Sequence, residues 1–285
     1  MPVFRPEGPL VVAAGPRRVD VTNRALVMGV LNRTHDSFYG PAATYDLDDF
    51  FARAEQLVND GADILDVGGV KAGPGDEVSE EEEIDRVVPV IRELGARFDV
   101  PLSVDTWRAS VAAASFEAGA CIGNDISGFA DPDYLNAAAS AQATVVATHI
   151  RLRPRVADPN PHYRDVTAAV REFLLERRRW ALKAGLNHEQ IILDAGLDLG
   201  KTAAQSLQLL RESATLAALG SPLLLSASNK TFLGASLNLE IHERTTASMA
   251  ATAIGITQGC RIVRVHDVAG SVRVRDVLER LACAT

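Results

Sequence analysis

The segment PLSVDTWRASVAAASFEAGACIGND, residues 101–125, contains a complete strand–helix–strand unit. PLSVD (101–105) and CIGND (121–125) are short apolar runs without clean polar alternation, which is typical of strands buried on both faces of a parallel sheet. The stretch between them has the apolar spacing of an amphipathic helix, and Gly119 near its end favours a left-handed helix cap. The segment therefore predicts one βα repeat followed by the start of the next.

The same unit recurs along the chain. Eight apolar runs are each followed by a helical segment, at 26–31, 63–68, 101–105, 121–125, 144–148, 190–194, 223–228 and 261–265. They predict an α/β fold, a (β/α)8 TIM barrel that forms a single domain over residues 1–285. An N-terminal β-hairpin is expected from LVVAA, the turn GPRR and VDVT. A doubly wound open sheet is the alternative topology, and the Pro-rich stretch 151–163 is expected to be an exposed insertion.

Charge, cysteine content and the length of apolar runs limit the partners and the compartment that this protein is expected to have. The formal net charge of −8 argues against a nucleic-acid partner. The three cysteines show no metal-ligand or pairing pattern, which indicates free thiols in a reducing compartment. No apolar run approaches the roughly 18 residues that a membrane span needs, and the N-terminal apolar run is too short for a signal peptide. We therefore expect a cytoplasmic protein without membrane or nucleic-acid partners.

Polar residues stand at the ends of six of the predicted strands. They are Asn32, Asp105, Asn124, Asp194, Lys230 and Arg264 with His266. Each has a plain alternative role, such as capping the next helix or forming an ion pair. Because strand C-termini open on one face of a parallel barrel, their joint occurrence instead favours a shared site for a flat polar ligand and an anion. The Gly200–Lys201–Thr202 triplet is not a phosphate loop, because Ala195 stands where that pattern requires Gly.

The segments around these residues resemble the dihydropteroate synthase family. The resemblance runs from about residue 24 to the last helix, through MGVLNRTHDSF (28–38), ADILDVGG (62–69), SVDT (103–106), NDISG (124–128), ILDAGLDLGKT (192–202), SNKTF (228–232) and RIVRVHDV (261–268). That family joins p-aminobenzoate to hydroxymethyl-dihydropterin diphosphate and releases pyrophosphate with the help of Mg2+. No residue need act as a covalent nucleophile, because the incoming amine attacks directly.

The resemblance also implies roles for individual residues. It implies that the pterin is bound by Asp105, Asn124, Asp194, Lys230 and Arg264. It implies that the diphosphate is bound by Asn32, Arg264 and His266, and that Asn32 also binds the Mg2+ of an active enzyme. Carboxylate and amide oxygens suit the N–H donors of a pterin edge, and positive charge suits a departing diphosphate. The expected partners are a pterin or pterin-like molecule, with p-aminobenzoate analogues as further ligands. The resemblance also predicts a homodimer, to which the last two helices would contribute small residues and apolar faces.

The chain departs from the family pattern in the loops that carry the chemistry. GGESTRPG becomes GGVKAGPG (68–75), which replaces Thr and Arg by Ala72 and Gly73. In the first loop His35 and Gly40 replace Pro and Asp, and Leu199 and Asn229 replace a Phe and an Arg beside the ligand rings. We expect a homologue that keeps the pterin and diphosphate pocket with weak or no synthase activity. The alternatives are a working synthase, in which Lys71 and Arg33 partly replace the lost charges, and a non-catalytic regulatory partner of an active synthase.

Overall fold

Eight parallel strands close into a barrel in the computed structural model, which describes residues 4–33 and 47–283. The order around the barrel is β10-β3-β4-β5-β6-β7-β8-β9, with β9 pairing back to β10. The strands are β3 (Leu26–Asn32), β4 (Ile64–Gly68), β5 (Leu102–Asp105), β6 (Ile122–Asp125), β7 (Thr144–Thr148), β8 (Ile191–Asp194), β9 (Leu223–Leu225) and β10 (Cys260–Val265). The predicted (β/α)8 barrel is confirmed, and the open-sheet alternative is wrong.

Helices surround the barrel. They are α1 (Leu47–Asn59), α2 (Glu80–Arg97), α3 (Ala109–Glu117), α4 (Tyr134–Ser140), α5 (Val166–Lys183), α6 (Ala203–Arg211), α7 (Ser213–Ala217), α8 (Thr231–Leu237), α9 (Thr245–Thr257) and α10 (Val268–Cys283). Outward-facing strand residues such as Val27, Leu65 and Val104 pack against helix residues such as Ile91 and Leu94, and all five are fully buried. This layer follows from strands that are apolar on both faces. Within the described residues, no helix is long and apolar enough to span a membrane.

The predicted hairpin is confirmed, and it lies at the end of the barrel opposite the strand C-termini. Its strands are β1 (Val11–Ala14) and β2 (Arg17–Asp20). The Thr144 hydroxyl, at the start of β7, donates to the Ala13 carbonyl at 2.5 Å. Side chains of the hairpin and inward-facing strand residues form one buried apolar cluster at this end, which we call the lower end of the barrel. Its members include Leu10, Val12, Val21, Leu26, Ile122 and Ile262. The hairpin therefore plugs the lower end and keeps water out of the barrel interior.

Two local features depart from the expected repeat of one strand and one helix. The helical segment that follows β8 is broken at Glu212, whose ψ of 16° departs from helical geometry and whose carboxylate accepts from the Thr167 hydroxyl at 2.6 Å. The strand expected at 223–228 ends at Leu225, and α8 follows before the main helix α9. Asn229 adopts a left-handed φ of 58°, which ends any extended run there. The departures predicted in the first loop, at His35 and Gly40, lie outside the described residues.

Candidate ligand-binding site

The inward-facing positions become polar towards the strand C-termini. Strand register places Asp105 beside Gly68 on one side and beside Asn124 on the other. Gly68 leaves this face open: a Cβ added there would lie 3.4 Å from the Asn32 Oδ1 and 3.5 Å from the Asp105 Cβ. Three neighbouring strand ends therefore direct their polar side chains into the same space, as expected from the sequence.

Arg264 and Asp66 form the floor of this space. The Arg264 Nε donates to the Asp66 Oδ2 at 2.6 Å, and its Nη2 donates to the Asp105 Oδ2 at 2.7 Å. The Asn124 amide also donates to the Asp66 Oδ2, at 3.2 Å. Asp66 is fully buried, and its Oδ1 has no hydrogen-bond partner within the described chain. A bare, buried carboxylate oxygen is a strong acceptor for a ligand N–H group.

The charges on this floor are strongly coupled. Burial raises the pKa of Asp105 to about 7, although the Arg264 guanidinium opposes the rise. Burial would lower the pKa of Arg264, but Asp66 and Asp105 outweigh it and raise that pKa above its usual range. Arg264 therefore stays charged and holds Asp105 beside it as an ion-pair partner.

Asp194 and Lys230 form the adjoining wall. The Asp194 Oδ1 accepts from the Gly196 amide at 2.7 Å, and the Lys230 Nζ donates to the Leu197 carbonyl at 2.9 Å. Burial raises the pKa of Asp194, while Lys230 acts in the opposite direction. Burial also lowers the pKa of Lys230, and Asp194 counters that change. The two groups thus support each other's charged forms across the mouth of the barrel.

Asn32 and His266 lie further out, and each keeps part of its surface open to solvent. The His266 ring Nδ1 lies 3.0 Å from the Ser228 hydroxyl, which also accepts from the His266 backbone amide at 3.2 Å. Desolvation at the mouth, followed by the charges of Arg264, Arg53 and Lys230, lowers the pKa of His266 to about 4. The imidazole is therefore neutral at pH 7 and offers hydrogen bonding rather than charge.

The residues present fit a Mg2+ ion that is shared with a substrate. Mg2+ keeps several waters and takes only one or two protein oxygens when substrate phosphates complete its shell. The Asn32 Oδ1 points over Gly68 towards the Asp105 side of the mouth and could supply such an oxygen. No group of three or more His, Cys, Asp or Glu side chains in the described ranges could hold a metal alone.

The structure brings all the predicted site residues to one end of the barrel and adds Asp66, which sequence reasoning missed. Asp66 was overlooked because it lies inside the strand ILDVG (64–68) rather than at its end. The sequence feature that could have identified it is a carboxylate in an otherwise apolar strand. The neighbouring Asp125 caps a turn: its two carboxylate oxygens accept from the Ser127 and Phe129 amides, at 2.6 and 2.7 Å.

The second loop, residues 69–79, is fixed by the insertion at 151–163. The Arg155 amide donates to the Ala72 carbonyl at 3.0 Å, and its guanidinium donates to the carbonyls of Lys71, at 3.4 Å, and Asp76. Ala72 and Gly73 are exposed and line a cleft of about 230 Å3 with Leu199 and insertion residues. The loop that departs most from the family pattern is thus attached to a neighbouring segment.

Arg33, expected to replace part of the lost charge, contacts the neighbouring helix. Its Nη1 donates to the Arg86 carbonyl on α2 at 3.2 Å. Asn229 is held by its backbone: its amide donates to the Ser248 hydroxyl at 3.0 Å, and its carbonyl accepts from Arg244 at 3.0 Å. The compensating role of Arg33 stays a prediction.

Comparison with known proteins agrees with this geometry. Residues 28–266 match the family described as "Pterin binding enzyme". The chain is 38% identical over 272 residues to the dihydropteroate synthase of Clostridium beijerinckii, which covers 93% of this chain and 98% of that one. The chain belongs to the dihydropteroate synthase family.

Within this family the chain resembles proteins of two kinds. It is 41% identical over 264 residues to "Inactive dihydropteroate synthase 2" of Mycobacterium tuberculosis, which covers 90% of this chain and 82% of that protein. The crystal structure of Yersinia pestis dihydropteroate synthase with a sulfonamide drug superposes with a TM-score of 0.91 at 36% identity, covering 97% of this chain and all of that one. Overall similarity therefore does not separate a synthase from an inactive relative, and the site itself must be considered.

Proposed function

We propose that this protein binds a pterin or pterin-like ring at the mouth of the barrel and has weak or no dihydropteroate synthase activity. The observation that carries the proposal is a contrast between neighbouring surfaces. The floor keeps its buried carboxylates and Arg264 in a connected network. The second loop beside it presents only a methyl group at Ala72 and no side chain at Gly73.

Pterin recognition follows from the acceptors on the floor and wall. The amino group and ring N–H of a pterin need buried acceptors, and Asp66 Oδ1 and Asp194 provide them. Asp105 and Asn124 line the same space, and Lys230 has further N–H donors for the ring carbonyl. Arg264 keeps the carboxylates oriented and lies under the ring. In this proposal the polar floor gives orientation, and the enclosing barrel excludes water.

Diphosphate binding is proposed for Asn32, Arg264 and His266. Mg2+, when bound, would neutralise charge on the departing pyrophosphate. Arg264 already contacts two carboxylates, and His266 is neutral at pH 7, so this part of the site supplies limited positive charge. Removing one preorganised donor from a transition state typically costs about 100- to 1000-fold in rate. The missing Thr and Arg of the second loop therefore account for a low turnover.

A titration and an assay on the same preparation test the proposal. We expect a pterin such as 6-hydroxymethylpterin to bind, as measured by fluorescence or calorimetry. Release of pyrophosphate from dihydropterin diphosphate and p-aminobenzoate should be at least roughly 100-fold slower than for an ordinary synthase. A protein that binds no pterin would contradict the pterin site, and one with ordinary turnover would contradict the reduced activity.

A working synthase is the second candidate. It is favoured by the 38% identity to the C. beijerinckii synthase and by Arg155, whose guanidinium contacts the second loop and brings positive charge beside it. Complementation of a strain that lacks its synthase separates the two candidates. Growth without added folate products would support the second candidate, and failure with a soluble, folded protein would support the first.

We further propose a cytoplasmic homodimer. Helices α9 and α10 present exposed apolar side chains, with 39% of Ile254, 57% of Val277 and 63% of Leu281 accessible to solvent. Burying such a surface in a two-fold interface is a common solution. The free thiols of Cys121 and Cys260 support a reducing compartment. Light scattering at micromolar concentration should give twice the mass of the chain, and a stable monomer would contradict the dimer.

A further inference from the structure

Lys201 is a buried lysine at the end of the β8–α6 loop, residues 195–202. Only 7% of the residue is exposed. Its Nζ donates to the Gly196 carbonyl at 2.7 Å, the Leu199 carbonyl at 3.1 Å and the His149 carbonyl at 3.2 Å. The same nitrogen lies 2.9 Å from the His149 ring Nδ1. One side chain therefore connects two turns of this loop to the end of β7.

The loop that Lys201 holds is also the loop that contacts the wall of the ligand site. The Gly196 amide donates to the Asp194 Oδ1, and the Leu197 carbonyl accepts from the Lys230 Nζ. The two loop carbonyls bound by Lys201 thus lie on either side of Leu197 in the sequence. A shift of this turn would move the partners of both Asp194 and Lys230 at once.

The loop fits tightly against the end of β7. Gly196 has a left-handed φ of 63°, and a Cβ added there would lie 2.0 Å from the His149 carbonyl oxygen. That approach is open only to glycine. Asp198 fixes the far side of the turn, because its Oδ2 accepts from the Phe232 amide at the start of α8 at 3.1 Å. The loop therefore has anchors on both β7 and α8, with Lys201 between them.

We propose that Lys201 is a positioning residue for the pterin site: it fixes the β8–α6 loop on β7 so that the Gly196 amide and the Leu197 carbonyl hold Asp194 and Lys230 in their binding orientation. This inference rests on the proposed pterin site. The Lys201 Nζ is enclosed by carbonyls and an imidazole, and the residue also borders the cleft that Ala72, Gly73 and Leu199 line.

A lysine suits this place for a physical reason. Its head group carries three donors, and two carbonyl oxygens of the loop and one from His149 converge on one point. An apolar side chain there would leave buried carbonyls without donors, which is costly. Burial lowers the pKa of Lys201 to about 7, while the Asp194 carboxylate works against that change. Asp194 and Lys201 are thus coupled through the loop geometry and through charge.

Substitution separates positioning from general stability. Lys201→Met keeps an unbranched side chain of similar length and removes the donors. We expect its affinity for 6-hydroxymethylpterin to fall roughly tenfold or more, measured well below the unfolding temperature. Lys183→Met, which changes an exposed lysine near the end of α5, is the matched control and should bind like the unmodified protein. Lys201→Ala should regain affinity when ethylammonium is added, but not with tetramethylammonium at the same ionic strength.

A second readout does not depend on the ligand. Hydrogen exchange of the Gly196 amide should speed up in Lys201→Met and stay unchanged in Lys183→Met. If Lys201→Met does not fold, Lys201→Gln, which keeps one donor group, carries the same comparison. Unchanged affinity and unchanged Gly196 exchange would overturn the inference. If the unmodified protein binds no pterin while Gly196 exchange responds as expected, the proposed function fails and the loop-positioning role of Lys201 stands.

Discussion

The Arg264 Nε lies 2.6 Å from the Asp66 Oδ2, and this contact connects strands β10 and β4 across the intervening strand β3. Arg264 is thereby held against the interior of the barrel, where its other nitrogen reaches Asp105. The pair is enclosed: the Asp66 side chain is inaccessible and that of Arg264 is only 16% exposed. A guanidinium held in this way gives the floor of the site a fixed shape before any ligand arrives.

Replacement of Asp66 should affect stability and binding together. In Asp66→Asn the buried guanidinium loses one of its two carboxylates, and the new amide donors face the Asn124 amide. We expect the free energy of unfolding to fall by about 1–3 kcal/mol and pterin affinity to fall with it. Asp99→Asn is the control, because Asp99 forms a surface pair with Arg17 that should contribute less than about 1 kcal/mol. If urea denaturation gives both variants the same free energy of unfolding as the unmodified protein, the structural role of Asp66 is contradicted.

Asp194→Ala should abolish pterin binding. The substitution removes a buried acceptor and the carboxylate that most supports the charged form of Lys230, so the wall loses negative charge. Loss of a charge-assisted contact alone corresponds to about ten- to a hundredfold in affinity. Calorimetric titration measures the affinity, and circular dichroism checks that the variant is folded. Retained affinity in a folded Asp194→Ala protein would show that the ligand does not bind at the end of β8.

Restoring the second loop should raise activity. Ala72→Thr with Gly73→Arg returns the family's side chains, and a Cβ added to Gly73 meets nothing within 4 Å, so the change is sterically permitted. We expect pyrophosphate release to rise by roughly tenfold or more, without full recovery because Leu199 and Asn229 still differ. Gly73→Ala restricts the backbone without adding charge and serves as control. Equal rates for the control and the double variant would show that backbone freedom, rather than charge, is limiting.

Arg155→Ala should free the second loop from the insertion. The guanidinium contacts to the Lys71 and Asp76 carbonyls are lost, while the barrel is untouched. We expect faster hydrogen exchange over 70–77 and a global stability change within about 1 kcal/mol. Arg153→Ala is the matched control, since Arg153 lines the same cleft and no side-chain bond from it to the second loop is found within the described ranges. Identical exchange in the two variants would show that Arg155 does not hold the loop.

His149 should make the protein acid-sensitive. Burial, with help from Lys201, lowers the pKa of His149 to about 3, whereas the unfolded chain has its usual value near 6.5. Between these values the unfolded state binds more protons, so stability falls as pH drops from about 6.5 towards 3, by up to about 1.4 kcal/mol per pH unit. His149→Gln should show a shallower fall in melting temperature over this range. If the melting temperature falls equally with pH in His149→Gln and in the unmodified protein, the acid sensitivity arises from carboxylates instead.

The barrel fold and the clustering of polar residues at its mouth could be predicted from the sequence, because both depend on patterns within single segments of the chain. A buried parallel strand leaves an apolar run, and a polar residue at its end faces the mouth whatever its partners are. Asp194 and Asn124 were found in this way. Asp66 was not, because its inward direction depends on alternation within a strand whose apolar residues face both the barrel interior and the helices.

Long-range contacts explain the remaining misses. Nothing near Lys201 in the sequence shows that its side chain turns inward to His149, some fifty positions earlier, and a Gly–Lys–Thr triplet points attention to phosphates instead. The docking of Arg155 on the second loop similarly joins segments about eighty residues apart. The break at Glu212 arises from a contact with Thr167 on α5. Such features depend on which distant elements meet, and periodicity within one segment does not report that.

The hairpin plug has a consequence for how this chain can change over generations. The cluster of Val12, Leu26 and Ile122 excludes water at the lower end, far from the loops that follow β4 and β8. Substitutions in those loops, such as the ones at Ala72 and Leu199, therefore leave the plug and its contribution to folding intact. A duplicated gene could lose its original reaction and still yield a durable, ring-binding protein on which selection for another ligand can act.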